Sequence, residues 1–187
     1  MRDLSQLPIE SFDIADLRPT DKVAPSFRAY ELTISELAQR QGIDNAFVTN
    51  AQLHAAVFLA RNVLQPVRDA YGAFSPNSVF RSQALERFLK RKPAGWTSAS
   101  QHTKGQACDI EIPGFATLYL AQWCADYLQD FDQIICECYD PRLGPNAGWV
   151  HVSVRDDNKN RRQKLSYVRF PSGKFDYIEG LRASSIS

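Results

Sequence analysis

Two short stretches of this chain hold residues able to bind a metal: His102 and Asp109 in S-Q-H-T-K-G-Q-A-C-D (100–109), and His151 in W-V-H-V-S (149–153). Two imidazoles and one carboxylate form the protein part of a catalytic zinc site that keeps its fourth position for water. The chain has only 3 histidines, and two of them fall here. A zinc site of this kind works with a carboxylate that is not itself a ligand and that takes the proton of the attacking water. Glu137 is the best-placed candidate, with Glu111 and Asp132 as fallbacks.

Strand alternation brings these groups together, because successive side chains of a strand point to opposite faces. In 106–112 one face carries Ala107, Asp109 and Glu111, and the other carries Cys108, Ile110 and Ile112. In 149–154 Trp149, His151 and Ser153 oppose Val150, Val152 and Val154. In 133–138 Gln133, Ile135 and Glu137 oppose Ile134, Cys136 and Cys138. Stacking the apolar faces on helices turns Asp109, Glu137 and His151 into one groove, and His102 returns to it through the turn at Gly105. Only Ile135 is out of place on that polar side.

Helices suited to cover the apolar faces are legible elsewhere. Thr33-Ile34-Ser35-Glu36 reads as a capping box opening a short helix that ends near Gly42. Thr49-Asn50-Ala51-Gln52 opens a longer one with Leu53, Val57, Ala60, Leu64 and Val67 at helical spacing, redirected at Pro66 and closed by Gly72. His54 lies off that stripe and reads as a packing or surface residue. Asn77 to Phe80 reads as a short strand, and Ser82 caps a helix over Gln83 to Arg91 with Leu85, Phe88 and Leu89 inward. A further helix spans roughly Ala116 to Leu128, with Leu120, Trp123, Cys124 and Tyr127 as its stripe. Strands are expected over Phe131 to Cys138, Trp149 to Arg155 and Leu165 to Phe170. The expected class is α+β, an antiparallel sheet with helices on one face and the zinc groove on the other. Residues 1–31 read as an extended arm, 32–170 as the domain, and 171–187 as a tail whose serines (Ser184, Ser185, Ser187) fray.

The bulk numbers exclude several function classes. At 187 residues the chain can bury a full core, and a net charge of +1 gives no general attraction to nucleic acid or an acidic membrane. The basic run 158–164 reads as a solvated loop. No apolar stretch follows Met1 and none is long enough to span a bilayer, so the expectation is synthesis in the cytoplasm without a signal peptide or membrane insertion. Cys108, Cys124, Cys136 and Cys138 then read as free, buried thiols.

S-x-H-x-x-G-x-A-x-D followed by a W-V-H strand resembles the zinc D-Ala-D-Ala carboxypeptidase and L-alanyl-D-glutamate peptidase superfamily, whose fold the hedgehog signalling domain shares. Its phage-associated branch is also similar at Gly42-Ile43-Asp44-Asn45, at Asn62 to Asp69, at Val79-Phe80-Arg81-Ser82 and at Phe131 to Glu137. The resemblance runs from about Leu32 to Val154. It implies His102, Asp109 and His151 as ligands of one zinc ion, Arg81 as clamp for a substrate carboxylate, and Ser100 as a hydroxyl at the rim of the site. Many members carry the catalytic acid three residues before the last histidine. Here that position is Gly148, and Glu137 on the preceding strand matches the glutamate that fills the role in phage-type members. The implied function is hydrolysis of a peptide bond in peptidoglycan stem peptides by a phage or prophage protein, after release from the cell or as a virion component beside tail proteins. The alternative is a non-catalytic zinc-containing module for wall binding or virion assembly.

Overall fold

A computed structural model describes residues 1–184. Its longest helical run starts where Thr49 caps Asn50–Leu59 (α2) reciprocally with Gln52, after a short helix Glu36–Gln41 (α1). One wide π-helical turn, Ala60–Leu64, joins α2 to Gln65–Tyr71 (α3), which Gly72 closes at φ 85°. Proline has no amide hydrogen to give, so the regular ladder lapses just before Pro66, and the Gln65 amide reaches back to Ala60 O instead. This is the physical form of the expected change of course. The cap of α1 is Ser35, which accepts from the Ala38 amide, rather than Thr33 two residues earlier.

Five strands form the main sheet: Ala107–Ile110 (β3), Gln133–Glu137 (β4), Trp149–Ser153 (β5), Gln163–Arg169 (β6) and Phe175–Glu179 (β7), in spatial order β3-β5-β4-β6-β7. A hairpin of Lys22–Ala24 (β1) and Phe27–Arg28 (β2) precedes them. Asp109 pairs with His151, His151 with Ile135, and Glu137 with Trp149. One apolar face, with Cys108, Ile110, Ile134, Cys136, Val150 and Val152 fully buried, packs against α2 and the helix Thr117–Tyr127 (α5). The opposite face is the floor of the groove. The α+β class stands, but the sheet is mixed rather than antiparallel, because β4 and β6 run parallel. Both edges of β5 are already taken by β3 and β4. The returning chain therefore joins the free edge of β4, and in running opposite to β5 it lies parallel to β4.

Several local expectations are corrected. Asn77 to Phe80 is not a strand but a single bridge between Ser78 and Asp109. Helix Gln83–Leu89 (α4), capped by Ser82, buries Leu85 and Glu86 and leaves Phe88 and Leu89 exposed. In α5 Leu120, Ala121 and Cys124 face inward, whereas Tyr127 is exposed. Residues 1–31 have little regular structure but are packed: Phe12, Val23, Ala24 and Phe27 sit in the core. Arg61, in the wide turn, donates to the carbonyls of Val23, Leu7 and Leu4 at 2.9, 2.8 and 3.0 Å. His54 has a packing role, its Nε2 donating to Phe12 O at 2.7 Å. The expected tail contains β7, and Ser184 donates its amide to Tyr139 O at 2.9 Å; Ser185 and Ser187 lie outside the described residues. Part of the basic run is tied down, Arg161 by Asp132 and Arg162 by Asp130. Cys108, Cys124 and Cys136 are buried free thiols, and Cys138 is a half-buried one. No helix among the described residues is long and apolar enough to cross a membrane.

Candidate metal centre

His102 stands on a single tight turn, Gln101–Lys104, which Gly105 ends at φ 75°. A side chain at 105 would put its Cβ 2.3 Å from Gln52 O, so glycine is what lets the turn press against α2. Gln52, having capped α2, donates to Thr103 O at 3.0 Å and holds the turn there. Asp109 and His151 face each other across the β3–β5 ladder. All three side chains are buried.

Their donor atoms converge. His102 Nε2 is 3.2 Å from His151 Nδ1 and 3.3 Å from Asp109 Oδ1, and His151 Nδ1 is 3.0 Å from Asp109 Oδ1. Two ligands of a tetrahedral zinc, each bonded at about 2.1 Å, lie about 3.4 Å apart. The donor set and its spacing therefore fit the ion that the sequence implies. His102 Nδ1 donates to Val79 O at 2.7 Å, which fixes the tautomer and leaves Nε2 as a free lone pair aimed at the cluster. Burial acts to raise the Asp109 pKa, but the neighbouring His102 and His151 outweigh it and hold the carboxyl well below the usual range. A group in this state offers a cation its negative charge.

A groove of about 680 Å³ opens beside the cluster, and Arg81, Ser100, Ile135, Glu137 and His151 line it. Glu137 belongs to the same sheet face as His151, one strand over and two residues along. Burial pushes its carboxyl above the ordinary glutamate range, with Asp109 adding to the shift and His151 and Arg81 opposing it. Gly148 adopts φ 74°, and a Cβ there would lie 2.0 Å from Glu137 O and 2.7 Å from the carbonyl carbon of Cys138. That position therefore has no room for an acid. Among the fallbacks, Asp132 also lines the groove but accepts from Arg161 and Gln101, and Glu111 lies beyond the end of β3.

Arg81 turns its Nε to Ser78 Oγ at 2.8 Å and one Nη to Asp109 Oδ2, the oxygen that faces away from the histidines. Ser100 opens the turn that carries His102. Two residues near the site escaped sequence reasoning, and only the first lines the groove. Tyr177 comes from β7, and the register Glu137–Tyr167–Tyr177 extends the groove face across two more strands. Its signal was the alternation of Phe175, Tyr177 and Glu179 after a Pro-Ser-Gly turn. Glu86 has no exposed surface, and nothing in its local sequence marks it.

A family model described as peptidase M15 matches residues 25–152, more than half of the chain. No curated protein and no solved structure matches.

Proposed function

The chain belongs to the peptidase M15 family, and from that premise we propose that it is a zinc peptidase hydrolysing a peptide bond in the stem peptides of bacterial peptidoglycan. The observation that carries the reading is the trio of donor atoms 3.0 to 3.3 Å apart beside a half-buried, non-ligating carboxylate in an open groove. His102 Nε2, His151 Nδ1 and Asp109 Oδ1 would hold the ion. When bound, zinc would polarise the scissile carbonyl and make a water molecule acidic enough to attack near neutral pH. Glu137 accepts the proton of the attacking water and returns it to the leaving nitrogen. Its raised pKa suits both halves of that transfer, since a base of higher pKa holds the proton long enough to deliver it. Arg81 and Ser100, on the groove wall, bind and orient the substrate.

The charge of the groove supports an acidic peptide. Lys90, Lys104, Arg155 and Arg161 line it together with Arg81, against the carboxylates of Asp132 and Glu137. D-Ala-D-Ala carboxypeptidase and L-alanyl-D-glutamate endopeptidase chemistry both fit this charge. A phage or prophage origin, with access to the wall after release or on a virion, belongs to the same proposal.

Purified protein should bind one zinc ion and release D-Ala or stem-peptide fragments from peptidoglycan. Glu137→Gln should keep the zinc and lower kcat by about a hundredfold or more, the usual range for a lost general base. Zinc bound without cleavage of any stem-peptide bond would favour the non-catalytic wall-binding or virion module instead. Near-native turnover in Glu137→Gln would move the proton transfer to another carboxylate.

A further inference from the structure

The segment 78–81, joined to the sheet only by the Ser78–Asp109 bridge, grips two of the three metal-binding residues. The Asp109 amide donates to Ser78 O at 2.8 Å, Val79 O accepts from the His102 ring, and the Arg81 amide donates to His102 O at 3.2 Å. The Arg81 side chain closes the bracket on Asp109 Oδ2. Only that last contact depends on a long, flexible side chain, so it is where the bracket needs further support.

Glu86 supplies it. This carboxylate, one turn into α4, has no exposed surface. Its Oε1 lies 3.4 Å from Arg81 Nη1, while Oε2 accepts from Lys90 Nζ at 2.6 Å and from Ser98 Oγ at 2.8 Å. Burial works against its charge, but the hydrogen bonds from Lys90 and Ser98 and the charges of Lys90 and Arg81 keep its carboxyl below the ordinary glutamate range. It is thus an ionised group inside the protein that touches neither the groove nor the metal-binding trio. A buried charge is costly unless its partners require it. Leu and Met would fill the same space on α4 without that cost.

We infer that Glu86 is a positioning residue of the metal centre, acting through Arg81 to fix the Asp109 carboxylate and to leave Asp109 its charge. Two effects run in the same direction. Held at one end by Glu86, the guanidinium holds Asp109 Oδ2 in one place, so Oδ1 is aimed at the histidines before any ion arrives. Glu86 also balances part of the Arg81 charge, which would otherwise be offset by Asp109 alone and would repel a dication. Loss of the Glu86 charge should therefore weaken zinc binding although the residue contacts no metal ligand. Outer partners of metal ligands typically alter affinity by about 10- to 100-fold.

The inference rests on the zinc reading of the site, and zinc affinity tests the two separately. Competition against a chromophoric chelator gives Kd for the wild type, Glu86→Gln, Arg81→Met and the double variant, with circular dichroism and thermal melts as the check on folding. Glu86→Gln should weaken zinc binding about 10- to 100-fold while remaining folded, and should add almost nothing once Arg81 is gone. A folded Glu86→Gln protein with wild-type Kd overturns the role of Glu86 and leaves the zinc site standing. An equal loss with and without Arg81 also overturns it, because the effect would not pass through the guanidinium. A wild type that binds no zinc overturns the site and this inference together. Should Glu86→Gln fail to fold, Ser98→Ala loosens the same carboxylate without stranding a charge. It should weaken zinc about threefold or more, and an unchanged Kd rejects the proposal.

Discussion

Asp132 has no exposed surface and still carries its charge, because four bonds converge on it. Oδ1 accepts from the Arg161 amide and Nε, both at 2.9 Å, and Oδ2 accepts from Arg161 Nη2 at 2.5 Å and Gln101 Nε2 at 3.0 Å. Those bonds fasten the β5–β6 loop to the turn that carries His102. They also occupy the lone pairs a general base would use, which is the physical reason to assign proton transfer to Glu137. Burial raises the Asp132 pKa, but the bonds to Arg161 and Gln101 outweigh it and leave it depressed. A carboxylate depressed in the folded state adds stability above its unfolded pKa of about 4, and that stability is lost as pH falls through the folded value. Asp132→Asn should therefore cost about 2 kcal/mol at pH 7, the order expected for breaking hydrogen bonds to a buried charged group. In urea melts the gap from wild type should narrow at pH 3. A gap that stays constant with pH would show that the charge is not what the loop depends on.

The β4–β5 connection decides which element can place an acid beside His151. Gly148 passes so close to the Glu137 carbonyl that a side chain there must displace the end of β4. Gly148→Asp would recreate an acid three residues before His151, yet it should lose activity rather than gain it. It should also lower stability by about 2 kcal/mol or more through strain at positive φ and the collision with β4. A Gly148→Asp protein of normal stability and higher kcat would refute this account of the loop. The elements that carry Asp109, Glu137 and His151 were legible because a period of two forces them onto one face whatever the tertiary context. Helix α4 was misread for the opposite reason. Leu85, Phe88 and Leu89 have the spacing of a buried stripe, but seven residues are too few for spacing to decide, and the pull of Arg81, Lys90 and Ser98 on Glu86 set the inward face. The parallel β4–β6 pair was hidden because it depends on which strand edges are already occupied, a property of the assembled sheet.

At the scale of the molecule the two ends of the chain play different parts, although both fall largely outside the motif-bearing stretch. The N-terminal residues complete the core: Phe12, Val23 and Phe27 are buried, Arg61 binds three of the segment's carbonyls, and the Arg68 guanidinium lies 3.5 Å from the centre of the Phe27 ring. Each such apolar side chain contributes about 1.5 to 3 kcal/mol on burial, so removing residues 1–28 forfeits an amount comparable to the 5 to 15 kcal/mol that holds a typical domain together. That deletion should give no cooperative melt. The C-terminal strand β7 is largely exposed, and its place is at the open edge of the sheet. Its contribution is to the groove, where Tyr177 stands on the face that Glu137 and Tyr167 share. A chain ending at Phe170 should still fold and bind zinc as tightly as the full chain, because β4 and β6 stand between β7 and the ladder that carries Asp109 and His151. It should need several-fold more substrate to reach half its maximal rate, and Tyr177→Ala in the full-length protein should reproduce that rise in KM with kcat nearly unchanged. Loss of zinc from the shortened chain would mean instead that β7 braces the metal centre across the sheet.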